Sequence, residues 1–283
     1  MLKASNIFTL LKTSEELLTL HNIKEAKLDA EVLLCSILNI KRSKLFTMRS
    51  DTLTQIQLKQ YQKYLERRSN REPLAYILGK TEFMGLEFNV NSNVLIPRQE
   101  TELLVEEVNN QIKINNYKEI LDMCTGSGCI AISVAYEKDV LVTAADISKE
   151  AIDIAVGNSR INKVSSKIEF LISNMFDNIK DKKFDIIISN PPYITREEFK
   201  TLEEELLFEP KNALVAEDDG LFFYNKIAEK SKEYLNNNGI IVLELNSNIS
   251  QKIVELFEIY GFIKIKIIKD YANLDRVLVL KNG

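Results

Sequence analysis

Apolar residues recur at helical spacing through the first eighty positions. Ile7, Leu10, Leu11, Leu17 and Leu18 follow Ser5, which is placed to cap that helix; Ala26, Ala30, Leu33, Leu34, Ile37 and Leu38 mark a second, and Leu53, Ile56, Tyr64 and Leu65 a third. No β-rich run interrupts them, so residues 1–80 read as an all-helical unit of a kind that recognises a partner. The pattern then shortens. Residues 83–90 (Phe-Met-Gly-Leu-Glu-Phe-Asn-Val) turn about Gly85 in the manner of a β-hairpin, and 81–98 reads as a hairpin linker.

From residue 99 to residue 283 strands alternate with helices. Apolar runs at 119–122, 140–146, 168–172, 184–189, 239–245, 262–269 and 277–280 read as strands. Helices are expected through Leu103–Val108, Ile130–Ala135, 148–161, 221–235 and 249–260. Such alternation predicts an α/β fold with a doubly wound, mostly parallel sheet. The last two strands lack a helix between them and should pair antiparallel at one edge.

Composition narrows the chemistry. The chain has 283 residues, 45% hydrophobic and 28% charged, enough for two domains. It holds no run of the ~20 apolar residues needed to span a membrane, and the opening residues lack the features of a signal peptide, so a cytoplasmic location is expected. The single histidine, His21, lies in a helical stretch far from every motif below, which argues against a Ser-His-Asp hydrolase, and one histidine is too few for a zinc protease. Cys35, Cys124 and Cys129 form no CxxC pair, so no metal is expected. Charge is uneven: 14 Lys and Arg against 8 Asp and Glu up to Lys80, then 23 against 33 beyond it. The basic front, including Arg67, Arg68 and Arg71, would suit an acidic face on a partner.

Residues 121–128 (Leu-Asp-Met-Cys-Thr-Gly-Ser-Gly) join a strand to a helix. Gly126 and Gly128 let the backbone approach a ligand, and the N–H groups of the helix start can face it. Asp146 ends the next strand, about twenty residues on, where a carboxylate accepts hydrogen bonds from ribose hydroxyls. S-Adenosylmethionine and a dinucleotide both fit, since Gly126-x-Gly128-x-x-Ala131 is also an acceptable dinucleotide fingerprint; a purely structural turn is a third reading. Asp122 favours the first, because a carboxylate there would repel a pyrophosphate but could accept from the amino group of a methionine moiety.

Asn190, Pro191, Pro192 and Tyr193 follow an apolar strand. The Asn190 side-chain oxygen and the Pro191 carbonyl make two acceptors suited to one –NH2 group, and Tyr193 can stack on a planar group beside them. An amide nitrogen is a poor nucleophile, and acceptors on both its N–H groups raise its electron density. A sulfonium methyl donor then needs positioning more than a general base, consistent with the want of a usable histidine.

Together these motifs resemble the HemK/PrmC family of S-adenosylmethionine-dependent methyltransferases, which modify the glutamine of the Gly-Gly-Gln motif in class 1 peptide chain release factors. The resemblance also rests on residues 71–76 (Arg-Glu-Pro-Leu-Ala-Tyr), 96–102 (Ile-Pro-Arg-Gln-Glu-Thr-Glu) and 208–210 (Phe-Glu-Pro), and on Asp270, Tyr271, Arg276 and Val277. It implies a seven-stranded Rossmann-like methyltransferase sheet, a small helical N-terminal domain and a hairpin between them. It further implies that Cys124, Thr125, Gly126, Ser127 and Gly128 wrap the methionine part of the cofactor, Asp146 binds its ribose and Met175 its adenine. Asn190, Pro191, Pro192 and Tyr193 would hold the glutamine, Asn190, Pro191 and Tyr193 serving catalysis and Asn190 also touching the cofactor. Glu100 and Thr101 would belong to a segment that closes over the site.

Three residues depart from the family pattern. Cys124 replaces a glycine, so its φ must be acceptable to a side chain; Asn174 replaces an acidic residue near the adenine; Asn246 stands where glycine is frequent. The implied reaction is methyl transfer to the glutamine N5, leaving S-adenosylhomocysteine, with release factors as partners and neither membrane nor direct nucleic-acid binding. Alternatives are a ribosomal protein glutamine methyltransferase, which shares Asn-Pro-Pro-Tyr, and a DNA adenine-N6 methyltransferase, which would need base-flipping contacts.

Overall fold

Side-chain caps set where the first helices begin. In the computed structural model, which describes residues 6–283, helix α1 (Ile7–Leu20) starts at Asn6, whose side chain accepts the Thr9 N–H at 2.9 Å. Ser5, read above as the cap, lies outside the described residues. Helices α2 (Ala26–Leu38), α3 (Arg42–Leu45), α4 (Gln55–Ser69) and α5 (Leu74–Leu78) follow, α4 opening with a reciprocal cap between Thr54 and Gln57. His21 is exposed and ends α1 as its C-cap.

These helices enclose one core of Ile7, Leu10, Leu18, Ala30, Leu33, Leu34, Tyr61 and Leu65. Ile56, read as a core position, is 83% exposed. The inward stripe of α4 runs through Tyr61, Leu65 and Arg68, steps of four and three, and Ile56 falls on the opposite side. Tyr61, which the apolar spacing passed over, is fully buried, and its hydroxyl donates to the Ala30 carbonyl at 3.1 Å.

Residues up to Gly79 group with Glu203–Phe208 as one unit, and Lys80–Leu202 with Glu209–Gly283 as the other. Glu205 explains the first grouping. Arg68 donates to Asp29 at 2.6 Å and to Glu205 at 3.2 Å, and Arg71 donates to Glu205 at 2.5 Å. Arg67 forms a two-point pair with Glu72. The three arginines expected to supply free positive charge are therefore neutralised within their own unit, because each is half-buried or buried and could not stay there unpaired. The exposed cations of this unit include Lys12, Lys27, Lys41, Lys44, Lys59 and Lys63.

In the second unit a hairpin of β1 (Lys80–Phe83) and β2 (Leu86–Asn89) turns through Met84 and Gly85, both with positive φ, as a two-residue hairpin loop requires. Phe83 and Phe88 enter the core of this unit, and Asn158 bonds both backbone groups of Asn89 and the carbonyl of Ser127. The hairpin is thereby tied to the glycine-rich loop.

The remaining elements are α6 (Glu102–Asn115), β3 (Glu119–Met123), α7 (Cys129–Glu137), β4 (Leu141–Asp146), α8 (Lys149–Ile161), β5 (Ile168–Ile172), β6 (Phe184–Ser189), α9 (Arg196–Phe199), α10 (Lys211–Leu214), α11 (Phe222–Lys230), β7 (Leu235–Glu244), α12 (Ser250–Ile259), β8 (Phe262–Lys269) and β9 (Asp275–Asn282). Their seven strands form one sheet in the order β5-β4-β3-β6-β7-β9-β8. The first five are parallel; β9 returns antiparallel between β7 and β8. Ile186 and Ile188 face the core under α6 and α7, while Ile187 faces the core under α11 and α12. Both faces are covered, which is why β6 reads as an unbroken apolar run. The helix expected over 221–235 ends earlier, at Lys230, because Leu235 already pairs with Phe184 in the sheet. Among the described residues no helix is long and apolar enough to cross a membrane.

Arg68 offers a direct stability test. Replacing it with Met leaves Asp29 buried without its counter-charge, and the first unit should lose about 3–5 kcal/mol in urea denaturation. A loss under ~1 kcal/mol would mean that solvent screens the pair.

Candidate functional site

Strand order reverses between β3 and β6, and a cavity of about 310 Å³ opens there at the carboxyl ends of the strands. Its wall includes Cys124 after β3, Asp146 at the end of β4, Asn174 and Met175 after β5, and Asn190 and Pro192 after β6. A recess of about 40 Å³ adjoins it, sharing Cys124, Gly126 and Asn190 and adding Arg98, Thr101, Thr125 and Ser127. Of the residues expected to hold the cofactor or the glutamine, Cys124, Gly126, Asp146, Met175, Asn190 and Pro192 thus line the main cavity, and Thr125 and Ser127 line the recess. Asp122, Gly128, Pro191 and Tyr193 line neither.

The loop after β3 takes its shape from three left-handed residues, Cys124, Gly126 and Gly128. Cys124 has φ +62°, so the expectation of an ordinary φ there is corrected: the cysteine occupies a glycine-like conformation at a cost of about 1–2 kcal/mol. Two bonds hold it in place, Thr125 N–H to the Ala145 carbonyl at 3.0 Å and Gly126 N–H to Asp146 Oδ2 at 2.8 Å. Gly128 is required twice over. Its φ is +80°, and a Cβ would stand 3.0 Å from the Cβ of Ala155 in α8.

Asp122 needs a second correction. Its side chain is fully buried beneath the loop, where Oδ2 accepts from the Thr125 hydroxyl at 2.6 Å and from Ala131 N–H at 3.1 Å. The residue thus clasps the loop to the start of α7 and does not present a carboxylate to a ligand. Oδ1 is buried without a partner, and burial pushes the carboxyl pKa up to about 7, against the pull of the Thr125 and Ala131 bonds. Asp146, also pushed up by burial, accepts Gly126 N–H on one oxygen and Ser148 N–H on the other at 3.0 Å. Each oxygen retains a lone pair, and the residue lies on the cavity wall.

Met175 occupies a turn with φ +50°, held by Ser173, whose hydroxyl donates to the Met175 carbonyl at 2.7 Å and accepts Asn178 N–H at 3.0 Å. Asn246 has φ −72° and caps a short turn by accepting Asn248 N–H, so this position does not require glycine.

The acceptor motif is fixed from behind. Asn190 Nδ2 donates to the Thr101 hydroxyl oxygen at 3.3 Å, and Thr101 donates onward to Glu244 Oε2 at 2.7 Å. Tyr193 turns toward the same carboxylate, its hydroxyl 3.5 Å from Glu244 Oε1, and its ring packs against the core under α11 and α12. The expectation that Tyr193 stacks on a planar ligand is therefore not met in this conformation. Gly220 lies against the motif so closely that a Cβ would stand 2.6 Å from the Tyr193 carbonyl oxygen.

Two residues of the site had no role assigned from the sequence. Glu209, buried, accepts Ile96 N–H at 3.1 Å and pairs with Arg98, which fastens the segment before Thr101. Glu244 ends β7 and is fully enclosed. A carboxylate closing an apolar strand was the available signal for Glu244; nothing in the spacing joined Glu209 to Arg98.

Comparison with known proteins adds three findings. Residues 9–79 match the PrmC N-terminal domain and residues 98–224 the methyltransferase small domain. The release factor glutamine methyltransferase of Clostridium acetobutylicum is 40% identical over 263 residues, covering 90% of this chain and 91% of that protein; that of Aliivibrio fischeri is 39% identical over 274 residues, covering 96% of each. A methyltransferase from Pyrococcus furiosus shares the fold, with a TM-score of 0.53 at 19% identity over 71% of this chain and 91% of that one.

The buried carboxyl of Asp122 makes a pH prediction. Its pKa in the folded protein, about 7, exceeds the ordinary 3.8, so the folded state holds the proton more tightly. Its contribution to stability is complete below about pH 4 and is lost as pH rises through 7. Asp122→Asn, neutral throughout, should flatten part of the decline in melting temperature between pH 5 and pH 8. An unchanged slope would show that Asp122 does not titrate in this range.

Proposed function

The chain belongs to the release factor glutamine methyltransferase family, and we propose that it transfers a methyl group from S-adenosylmethionine to the side-chain nitrogen (N5) of the glutamine in the Gly-Gly-Gln motif of class 1 release factors. The protein is an enzyme, a methyltransferase. The observation that carries the finer reading is the setting of Asn190: its nitrogen is committed to Thr101, which leaves Oδ1 as an acceptor at the cavity.

The residues present fit the cofactor. Asp146 combines a fixed carboxylate with spare lone pairs at the cavity wall, as a ribose diol requires. Met175 offers an apolar contact for adenine, and Asn174 a neutral amide beside it. The loop from Cys124 to Gly128 supplies close-approaching backbone for the methionine part, and Asp122 acts there by holding the loop in shape. When bound, S-adenosylmethionine supplies a sulfonium-activated methyl group.

The chain's own residues would act on the glutamine. Asn190 Oδ1 and the Pro191 carbonyl each accept one N–H of the amide, which raises electron density on nitrogen and orients its lone pair. Pro192 narrows the cavity beside them, and Tyr193 anchors the motif through its hydroxyl. Positioning of this kind can supply on the order of 7–11 kcal/mol of a barrier. The proton leaves after transfer, so no general base is required. The helical unit, 1–80, would engage the release factor away from its glutamine.

The deciding assay offers labelled S-adenosylmethionine with three acceptors, a release factor, a ribosomal protein and DNA; label is expected in the release factor glutamine. Transfer to the ribosomal protein or DNA alone would replace this reading. Asn190→Ala should lower kcat by roughly 10²–10³-fold while calorimetry finds cofactor affinity nearly unchanged. Asp146→Ala should do the reverse, weakening cofactor binding by about 1.5–3 kcal/mol. Equal cofactor losses in both variants would contradict the division of roles.

A further inference from the structure

An amide side chain can present either its oxygen or its nitrogen to a ligand, and the two ends have nearly the same shape. The proposed reaction works only with the oxygen facing the glutamine, since an –NH2 there would offer a donor to a donor. Something must therefore distinguish the two orientations of Asn190.

We propose that Glu244, acting through Thr101, is the positioning residue that fixes this orientation. This role presupposes the methyl transfer proposed above, and it follows from a count of protons. A carboxylate has none to give and can only accept. The Thr101 hydroxyl has one, and it is spent on Glu244 Oε2 at 2.7 Å. The Thr101 oxygen is then only an acceptor toward Asn190, and it accepts a hydrogen bond from one of the two Nδ2 hydrogens at 3.3 Å. A chain of hydrogen bonds that starts at a carboxylate has one direction, and it ends with Oδ1 turned away from Thr101. Thr101 is 2% exposed and Glu244 also 2%, so no bulk water competes for either bond.

Glu244 is itself held by its surroundings. Tyr193 points its hydroxyl at the other carboxylate oxygen, and the Tyr224 hydroxyl donates to the Glu244 carbonyl at 2.8 Å. Glu100, Arg276 and Cys129 are the other titratable groups that face it. Neutralising Glu244 removes the polarity. A protonated carboxyl, or a glutamine in its place, can donate to Thr101, whose hydroxyl is then free to donate to Asn190 and reverse the amide. Burial pushes the Glu244 pKa up to about 7, with Thr101 and Arg276 pulling the other way. The wild-type kcat should accordingly fall as pH drops below about 7.

The test compares wild type, Thr101→Val, Thr101→Ser and Glu244→Gln. Thr101→Val and Glu244→Gln should lower kcat by ~10–100-fold, with KM and cofactor affinity within about threefold. Thr101→Ser keeps the hydroxyl and should restore most of the rate. Glu244→Gln should also lose the acid limb of the kcat profile, which a purely structural role would leave in place. A second readout needs no turnover: with asparagine labelled by ¹⁵N, the Asn190 –NH2 protons should exchange slowly in wild type and faster in Thr101→Val. Unchanged kcat and exchange in Thr101→Val would overturn the proposal, even if Glu244→Gln fails to fold. A wild type inactive on every glutamine acceptor would instead defeat the functional reading, and the exchange comparison would still decide the orientation of Asn190.

Discussion

A buried carboxylate can only accept hydrogen bonds, and wherever one stands the surrounding chain must bring donors to it. Four carboxyl groups, the buried Asp122, Glu209 and Glu244 and the half-buried Asp146, organise the carboxyl edge of this sheet. Asp122 draws in the Thr125 hydroxyl and the Ala131 N–H; Asp146 draws in Gly126 and Ser148; Glu209 draws in Ile96 and Arg98; Glu244 draws in Thr101 and Tyr193. The parallel ladder β4-β3-β6 supplies the rigid base, since its strands are covered on both faces and cannot shift without breaking either core. The loops that carry the chemistry are then pinned to that base by carboxyl side chains that accept from them.

The same rule governs the helical unit, with the signs exchanged. Arg68 is 7% exposed and Asp29 is 5% exposed, so each is tolerable only because of the other. Glu205 completes the arrangement by meeting both Arg68 and Arg71. Counting charges along the chain marks this region as basic, yet the charges that drew attention are internal. The positive surface that remains is carried by exposed lysines such as Lys12, Lys27, Lys59 and Lys63, together with Arg49.

Left-handed residues recur where the backbone must bend around the cavity. Cys124 and Met175 both adopt positive φ without being glycine, and each is held by a named bond nearby. Local strain of about 1–2 kcal/mol at such positions persists only where neighbouring contacts over-determine the conformation. Here the neighbouring contacts also build the cavity wall.

Much of the fold was legible in the sequence because it is written in short-range terms. Periodicity in residues 99–283 located the seven strands, and the absence of a helix between the last two foretold their antiparallel pairing. Glycines 126 and 128, Asp146 and the run Asn190–Tyr193 could be placed on one edge of one sheet, since strand-to-helix connections in such sheets end on a common side. The direction of the side chains was another matter. Whether Asp122 faces a ligand or a loop, and whether Tyr193 stacks or anchors, depends on partners about nine and fifty positions away, Ala131 and Glu244. The pairing of Arg71 with Glu205 spans 134 positions and that of Thr101 with Glu244 spans 143. Local pattern determines which elements form and which chemistry they carry. Only tertiary structure decides which donor meets which acceptor, because a hydrogen bond requires approach to about 3 Å and sequence spacing does not encode distance across a fold.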